Sequence, residues 1–298
     1  MKTFRLFVIL ILILTGCKTK EESYSFTYSQ LPSVIRDIAK QREYLSTHFW
    51  DNLPWDETTI RITADVIRRP YYEYLGIINE TGFAKAEKHL KDLAYKSSSS
   101  TSYIAESFLL LFDESLNNPN SPLRHEKLYQ TVIDEYIKNL PDTSSTKGKL
   151  QWERELLIKN RVGEISENFS ILFTDGSISS LHSINSDYTL IFFFEPECNA
   201  CKESIVYAEN SQILLDFKSK NRILAIYTGH NFQAYEQAAI TFPDDWRVGR
   251  DLNNMISYDR LYDRRASPSI YLLDNKKNVL MKDGDIDSVE KLIGELIK

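Results

Sequence analysis

Apolar residues recur every three or four positions through the first half of the chain, and alternate or run continuously through the second. In "LPSVIRDIAKQREYLSTHFW" Val34, Ile35, Ile38, Leu45 and Phe49 fall near one helical face, and "TGFAKAEKHLKDLAYKS" and "SPLRHEKLYQTVIDEYIKNLP" repeat that spacing. Turn or cap chemistry interrupts the pattern at 52–54, 79–82, 97–102, 117–122 and 141–145. The spacing predicts five or six helices in an antiparallel bundle over residues 31–161. Pro70, in "DVIRRPYYEYLG", is expected to kink or end its helix, because it lacks a donor and clashes with the preceding turn. The serine run at 97–100 predicts an exposed loop. "SPLRHE" predicts a helix start with Ser121 as cap and Pro122 in the first turn.

Beyond about Val162 the period changes. "FSILFTDGSISSLHSI" reads as a hairpin around Asp175-Gly176, and "DYTLIFFFE" as a strand buried on both faces. Next come a helix in "CNACKESIVYAENSQILLDFKSK", a strand in "RILAIYTG", a helix in "NFQAYEQAAI", a short strand in "DWRVGRD" and a helix in "NNMISYDRLY". A hairpin in "PSIYLLDNKKNVLMKDG" and the helix "SVEKLIGELIK" close the chain. The predicted fold class is an α-helical N-terminal domain plus an α/β C-terminal domain, 162–298, with a mixed central sheet.

The first residues have another character. "MKTFRLFVILILILTGC" carries Lys2 and Arg5, then nine apolar residues from Leu6 to Leu14, then Thr15 and Gly16 before Cys17. A charged n-region, a short apolar h-region and a small-residue cleavage site mark a signal peptide over 1–16, too short to span a bilayer. Leu-Thr-Gly-Cys also resembles the bacterial lipoprotein lipobox, which implies lipidation of Cys17 as the first mature residue. The polar stretch "KTKEESYSFTYSQ" would complete an anchor and tether over 17–30. At 42% hydrophobic and 26% charged residues the chain has ordinary globular composition. A formal charge of -6, moving to -8 once Lys2 and Arg5 leave, argues against nucleic acid as a partner, since phosphate binding needs clustered cations.

The chain has three cysteines. If Cys17 is acylated, Cys198 and Cys201 can pair only with each other, and export compartments permit disulfides. Cys198 follows the buried strand and opens a helix, where unsatisfied N–H groups and the helix dipole favour its thiolate. Cys201, one turn on, is spaced to resolve a mixed disulfide formed at Cys198. Zinc would need four ligands, whereas the five histidines, His48, His89, His125, His182 and His230, are scattered with no second paired motif, so no metal is assigned. A purely structural disulfide stays open.

A buried strand, a CxxC at the next helix start and Pro268, in "RASPSIYLL", together resemble the thioredoxin fold. The preceding hairpin resembles its extracytoplasmic TlpA/ResA-like branch. "REYLSTHFWDNLPWDET" and "NSPLRHEKLYQTVIDEYI" resemble an uncharacterised helical domain that precedes thioredoxin-like domains in lipoproteins of Bacteroidota. The thioredoxin resemblance implies Cys198 and Cys201 as catalytic residues, a cis Pro268 facing them, and Ser267 with Pro268 positioning an extended substrate. It implies no bound cofactor. Two family features are absent: Glu197 replaces the tryptophan before the first cysteine, and Phe192 replaces the buried carboxylate six residues before it. Glu195 is then the proton acceptor to consider for Cys201. Acids beside Cys198 disfavour its thiolate, so the pair is expected to act as a reductant more than an oxidant.

The expected function is a lipid-anchored extracytoplasmic thiol:disulfide oxidoreductase in the cell envelope. It would face the periplasm, with the outer membrane or cell surface as other locations, and its partners would be protein thiols and disulfides. Two readings stand beside it. One is a non-catalytic lipoprotein whose helical domain binds a protein or glycan partner, with the thioredoxin-like domain as scaffold; "HFWDNLPWDE" could serve such binding, although its two tryptophans are expected first to lock two helices together. The other is a peroxidase with Cys198 as the peroxidatic thiol.

Overall fold

Among the described residues the N-terminal half holds six helices, α1 (Ile38–His48), α2 (Ala64–Asn79), α3 (Phe83–Ser98), α4 (Ser102–Phe112), α5 (Glu126–Asn139) and α6 (Ser145–Leu157), with a π-helical turn, Asp113–Asn117, directly after α4. The structure, a computed structural model, describes residues 24–297. The signal segment 1–16, the lipidation site Cys17 and the tether as far as residue 23 lie outside the described residues. Contacts group the chain into two units: one runs to His89 and includes Ser100–Leu111, the other comprises Leu90–Ser99 and Phe112–Lys298. Among the described residues no helix is long and apolar enough to cross a membrane.

The first unit is built on aromatic packing. Trp50, 4% exposed, meets Phe108 and Tyr74 edge-on at ring separations of 5.0 and 5.6 Å, and Trp55 stacks on Phe108 at 5.6 Å. Phe26 stacks on Phe49 at 5.8 Å, so packing reaches back into the polar stretch before Leu31. In "HFWDNLPWDE" Phe49, Trp50 and Leu53 are buried and Trp55 is half-buried, so the segment locks helices together as expected. The structure revises two expectations here. Val34 lies outside the helix and is exposed, because α1 begins only at Ile38, behind an Asp37 cap whose carboxylate accepts from Lys40 N–H, and Ile38 in the first turn is exposed as well. Of the two outcomes expected at Pro70, a kink or a helix end, the end does not occur. Pro70 is buried within α2, where burial of Ile67, Tyr71, Tyr74, Leu75 and Ile78 offsets the missing donor.

The second unit corrects two further expectations. Ser97 and Ser98 are buried at the end of α3 instead of looping out: Ser97 Oγ accepts from Tyr136 Oη at 2.8 Å, and Ser98 Oγ from Asn139 Nδ2 at 2.8 Å. Helix α5 starts at Glu126, with the His125 ring as cap. Ser121 is drawn away, its hydroxyl donating to Ser115 O at 2.5 Å.

The α/β segment comprises β1 (Ser170–Phe173), β2 (Ile178–Ser180), β3 (Tyr188–Phe194), α7 (Asn199–Asn210), α8 (Gln212–Lys220), β4 (Arg222–Tyr227), α9 (Phe232–Ala239), β5 (Arg247–Asp251), α10 (Met255–Tyr258), β6 (Ser269–Asp274), β7 (Val279–Gly284) and α11 (Ile286–Leu296). The single helix expected after the cysteines is two, because Ser211 breaks it and caps α8 by accepting from Leu214 N–H. The seven strands order as β2-β1-β5-β4-β3-β6-β7, a mixed sheet as expected, with β3 parallel to β4 and antiparallel to β6. Successive side chains of β3 serve opposite faces. Leu190, Phe192 and Phe194 pack with residues of α7, α8, α9 and α11, while Ile191 and Phe193 join Phe169, Ile171 and Tyr262 on the other face. That is why "LIFFF" is continuously apolar.

Polar contacts tie α5 and α6 to this segment. Lys282 of β7, 6% exposed at its side chain, donates to the carbonyls of Leu157 and Lys159 at 3.0 and 2.8 Å and pairs with Glu126 at 2.7 Å. It thereby satisfies carbonyls at the C-terminus of α6 and complements the helix dipole there. Lys282→Met removes these bonds while keeping the stem, and should lower stability by about 2 kcal/mol in urea unfolding, with the slope unchanged.

Candidate redox-active site

The site forms where three chain segments end together. Register pairs Phe193 with Ser269 across β3 and β6, and Phe194 with Tyr227 across β3 and β4. The exit of β3, the entry of β6 and the end of β4 therefore meet at one edge of the sheet. After β3 the chain turns through Glu197, whose left-handed φ of 65° lets Cys198 become the N-cap of α7.

Cys198 and Cys201 form a disulfide with Cα atoms 5.2 Å apart. Cys198 is partly buried, whereas Cys201 is 3% exposed and packs in the core with Phe192 and Phe194. The Cys201 N–H donates to Cys198 Sγ at 3.0 Å, the bond that would stabilise a Cys198 thiolate on reduction. The Ser267–Pro268 peptide is cis. The Ser267 carbonyl oxygen lies 3.6 Å from Cys198 Sγ, and its hydroxyl 3.5 Å from Cys198 Sγ and 3.4 Å from Cys201 Sγ. The resemblance assigns Ser267 only a part in positioning substrate; the contact of its hydroxyl with both sulfurs is visible in the structure alone.

Glu195, half exposed, faces Arg264 with 3.9 Å between Oε1 and Nη1. Burial raises its pKa, and the Arg264 charge offsets part of that rise. Around Cys201 the polar neighbour is the Ser267 hydroxyl, and Phe192, at the carboxylate position of many thioredoxins, is fully buried among Phe242 and Trp246. Among the described residues no group of three or more His, Cys, Asp or Glu side chains is arranged to hold a metal ion.

The segment leading to Pro268 is pinned by charges absent from the sequence reading. Arg265 binds Asp263 through Nε and Nη2 at 2.9 and 2.6 Å, and donates to Asn117 Oδ1 in the π-helical turn at 2.8 Å. Arg124 joins Asp283 at 2.6 Å and reaches Asp263 at 3.9 Å, while Tyr271 Oη donates to the Asp263 carbonyl at 2.9 Å. The one signal was "DRRAS" directly before Pro268. Loop arginines are too common to be read that way without partners in view.

Residues 14–160 match the profile of a domain of unknown function, DUF5106. Over 91% of this chain and 99% of the other, the structure is similar to that of a thioredoxin-like protein from Bacteroides caccae, at 27% identity and a TM-score of 0.79. The C-terminal domain of an uncharacterised protein from Bacteroides fragilis is 33% identical over 45% of this chain and 98% of its own, with a TM-score of 0.44. The thioredoxin domain of a thiol-disulfide oxidoreductase from Bacteroides vulgatus is 17% identical over 46% of this chain and 99% of its own, with a TM-score of 0.40. No curated protein matches. The C-terminal segment thus has a thioredoxin-like fold.

Two outcomes follow. In the reduced protein Cys198 should be alkylated at least tenfold faster than the buried Cys201, as read by mass spectrometry after limiting iodoacetamide. Burial raises the Asp263 pKa, but Arg265 and then Arg124 outweigh it and leave the carboxyl below the usual range. A depressed folded pKa contributes stability that is full above the unfolded value and lost as pH falls through the folded one. The stability gap between wild type and Asp263→Asn should accordingly be flat above about pH 5 and shrink below about pH 4.

Proposed function

We propose that this protein is a thiol:disulfide oxidoreductase, lipid-anchored through Cys17 in the cell envelope and facing the periplasm, that works chiefly as a reductant. The observation that carries the reading is the pairing of an accessible Cys198, capping a helix, with a buried Cys201, both against Ser267 before a cis proline.

In the reduced protein the Cys198 thiolate attacks one sulfur of a substrate disulfide, forming a mixed disulfide and releasing the other sulfur as a thiolate, which takes up a proton. Cys201 then gives its proton to Glu195, whose raised pKa suits an acceptor, and its thiolate attacks Cys198 Sγ. The substrate leaves as a second thiol. Two electrons have passed to the substrate, and Cys198 and Cys201 are joined. A dithiol protein of the envelope restores the thiols by the reverse exchange. Ser267 and Pro268 position the substrate strand, with the Ser267 carbonyl beside the attacked sulfur. The name of the structurally similar thioredoxin-like protein from Bacteroides caccae supports this reading, as does the burial of Phe49 and Trp50 in the core of the first unit.

Reductant character rests chiefly on Glu197, the residue before the nucleophile, since Glu195 is opposed by Arg264. Thiol trapping of the full chain in detergent across a graded dithiol/disulfide buffer should give a reversible two-electron transition near that of thioredoxin, about -270 mV; one near -120 mV would indicate an oxidant. In cells Cys201→Ser should accumulate covalent partners that dithiothreitol releases. Full function in a Cys198→Ser, Cys201→Ser double variant would instead favour a scaffold for partner binding, and peroxide turnover a peroxidase.

A further inference from the structure

Arg264 stands at the junction of every segment that ends at the site. Its guanidinium bonds Thr228 Oγ1 just past β4, donates to Ser257 Oγ on α10 at 3.3 Å, and faces Glu195 at the exit of β3. It lies four residues before Pro268. Glu195 in turn opens the tight turn into Cys198, whose N–H donates to the Glu195 carbonyl at 3.3 Å. Three-quarters of the Arg264 side chain is buried, so its charge is screened less than that of a surface arginine.

We propose that Arg264 is the positioning residue that sets the charge balance at the nucleophile: it neutralises Glu195 and so keeps the Cys198 thiolate attainable beside two acids. The inference rests on Cys198 being the nucleophile. Other groups bear on this pair. Arg264 feels, after Glu195, the phenol of Tyr271 and the carboxylates of Asp251 and Asp263, while Glu197 precedes Cys198 and Lys202 follows it on α7. Arg265 is committed to Asp263 and Asn117, which leaves Arg264 as the cation placed against Glu195. Of the acids expected to disfavour the Cys198 thiolate, Glu195 thus has a counter-charge.

The test is the pH profile of Cys198 alkylation in the reduced full chain, which reads the thiol itself whether or not any partner is exchanged. Arg264→Gln leaves the Glu195 carboxylate without its counter-charge at the turn into Cys198 and should raise the Cys198 pKa by about one unit, a tenfold loss of thiolate below that pKa. Glu195→Gln leaves a bare cation and should lower it by a similar amount. The double variant should return close to wild type, and Arg264→Lys should hold the wild-type value. If Arg264→Gln fails to fold, the half-exposed Glu195→Gln decides alone, a downward shift supporting the proposal. It is overturned if the two single variants shift the pKa in the same direction, or if Glu195→Gln leaves it unmoved. Absence of a reversible disulfide transition in wild type, by contrast, would sink the oxidoreductase reading and leave these shifts measurable.

Discussion

The register of β3 against its two neighbours is the constraint from which the site follows. Because β6 runs antiparallel to β3, the strand that ends at Cys198 and the strand that begins after Pro268 meet at the same edge; because β4 runs parallel, its end arrives there too. The register is held by burial. Phe192 and Phe194 fill one apolar layer and Ile191 and Phe193 the other, so a slip of one residue would send each set to the wrong layer. Burying four such side chains is worth about 6–12 kcal/mol before cavity costs, more than any hydrogen bond at the site supplies.

On that frame the cysteines gain unequal properties from a small shift in position. Cys198 is the residue before the helix and meets solvent and the free N–H groups of α7; Cys201, one turn on, points back into the layer that holds Phe192. Accessibility and thiolate stabilisation thus fall on one sulfur, shielding on the other. Ser267 lies against both, and its segment is held by the paired charges of Asp263, Arg265, Arg124 and Asp283, which link it to the π-helical turn and the loop before α5. Removing one member of such a buried group leaves another without a counter-charge, which costs more than the pair itself contributes. The helices of the second unit therefore act on the redox edge as braces for the loop that carries Pro268.

Most of the architecture was legible along the chain, because period and turn chemistry are local properties. The hairpin at Asp175-Gly176, the buried strand ending at Phe194, the helix opening at Cys198 and the closing hairpin and helix all stand where alternation and caps indicated. The misread places share a cause, which is that a non-local contact outweighed a local preference. Pro70 stays helical because its face is buried; Ser97 and Ser98 are buried because Tyr136 and Asn139 reach them; α5 starts late because Ser121 bonds Ser115.

By itself the sequence determined the helical and α/β halves and the CxxC pair of Cys198 and Cys201 at a helix start, since these depend on spacing and residue type alone. Only the tertiary structure decided which charges face which. Glu195 and Arg264 are 69 residues apart, Arg265 and Asn117 148 apart, and the Ser267 hydroxyl meets both sulfurs across the gap between two strands. The free energy of such a pair depends on its separation and its burial, and neither exists until the sheet has brought the segments together.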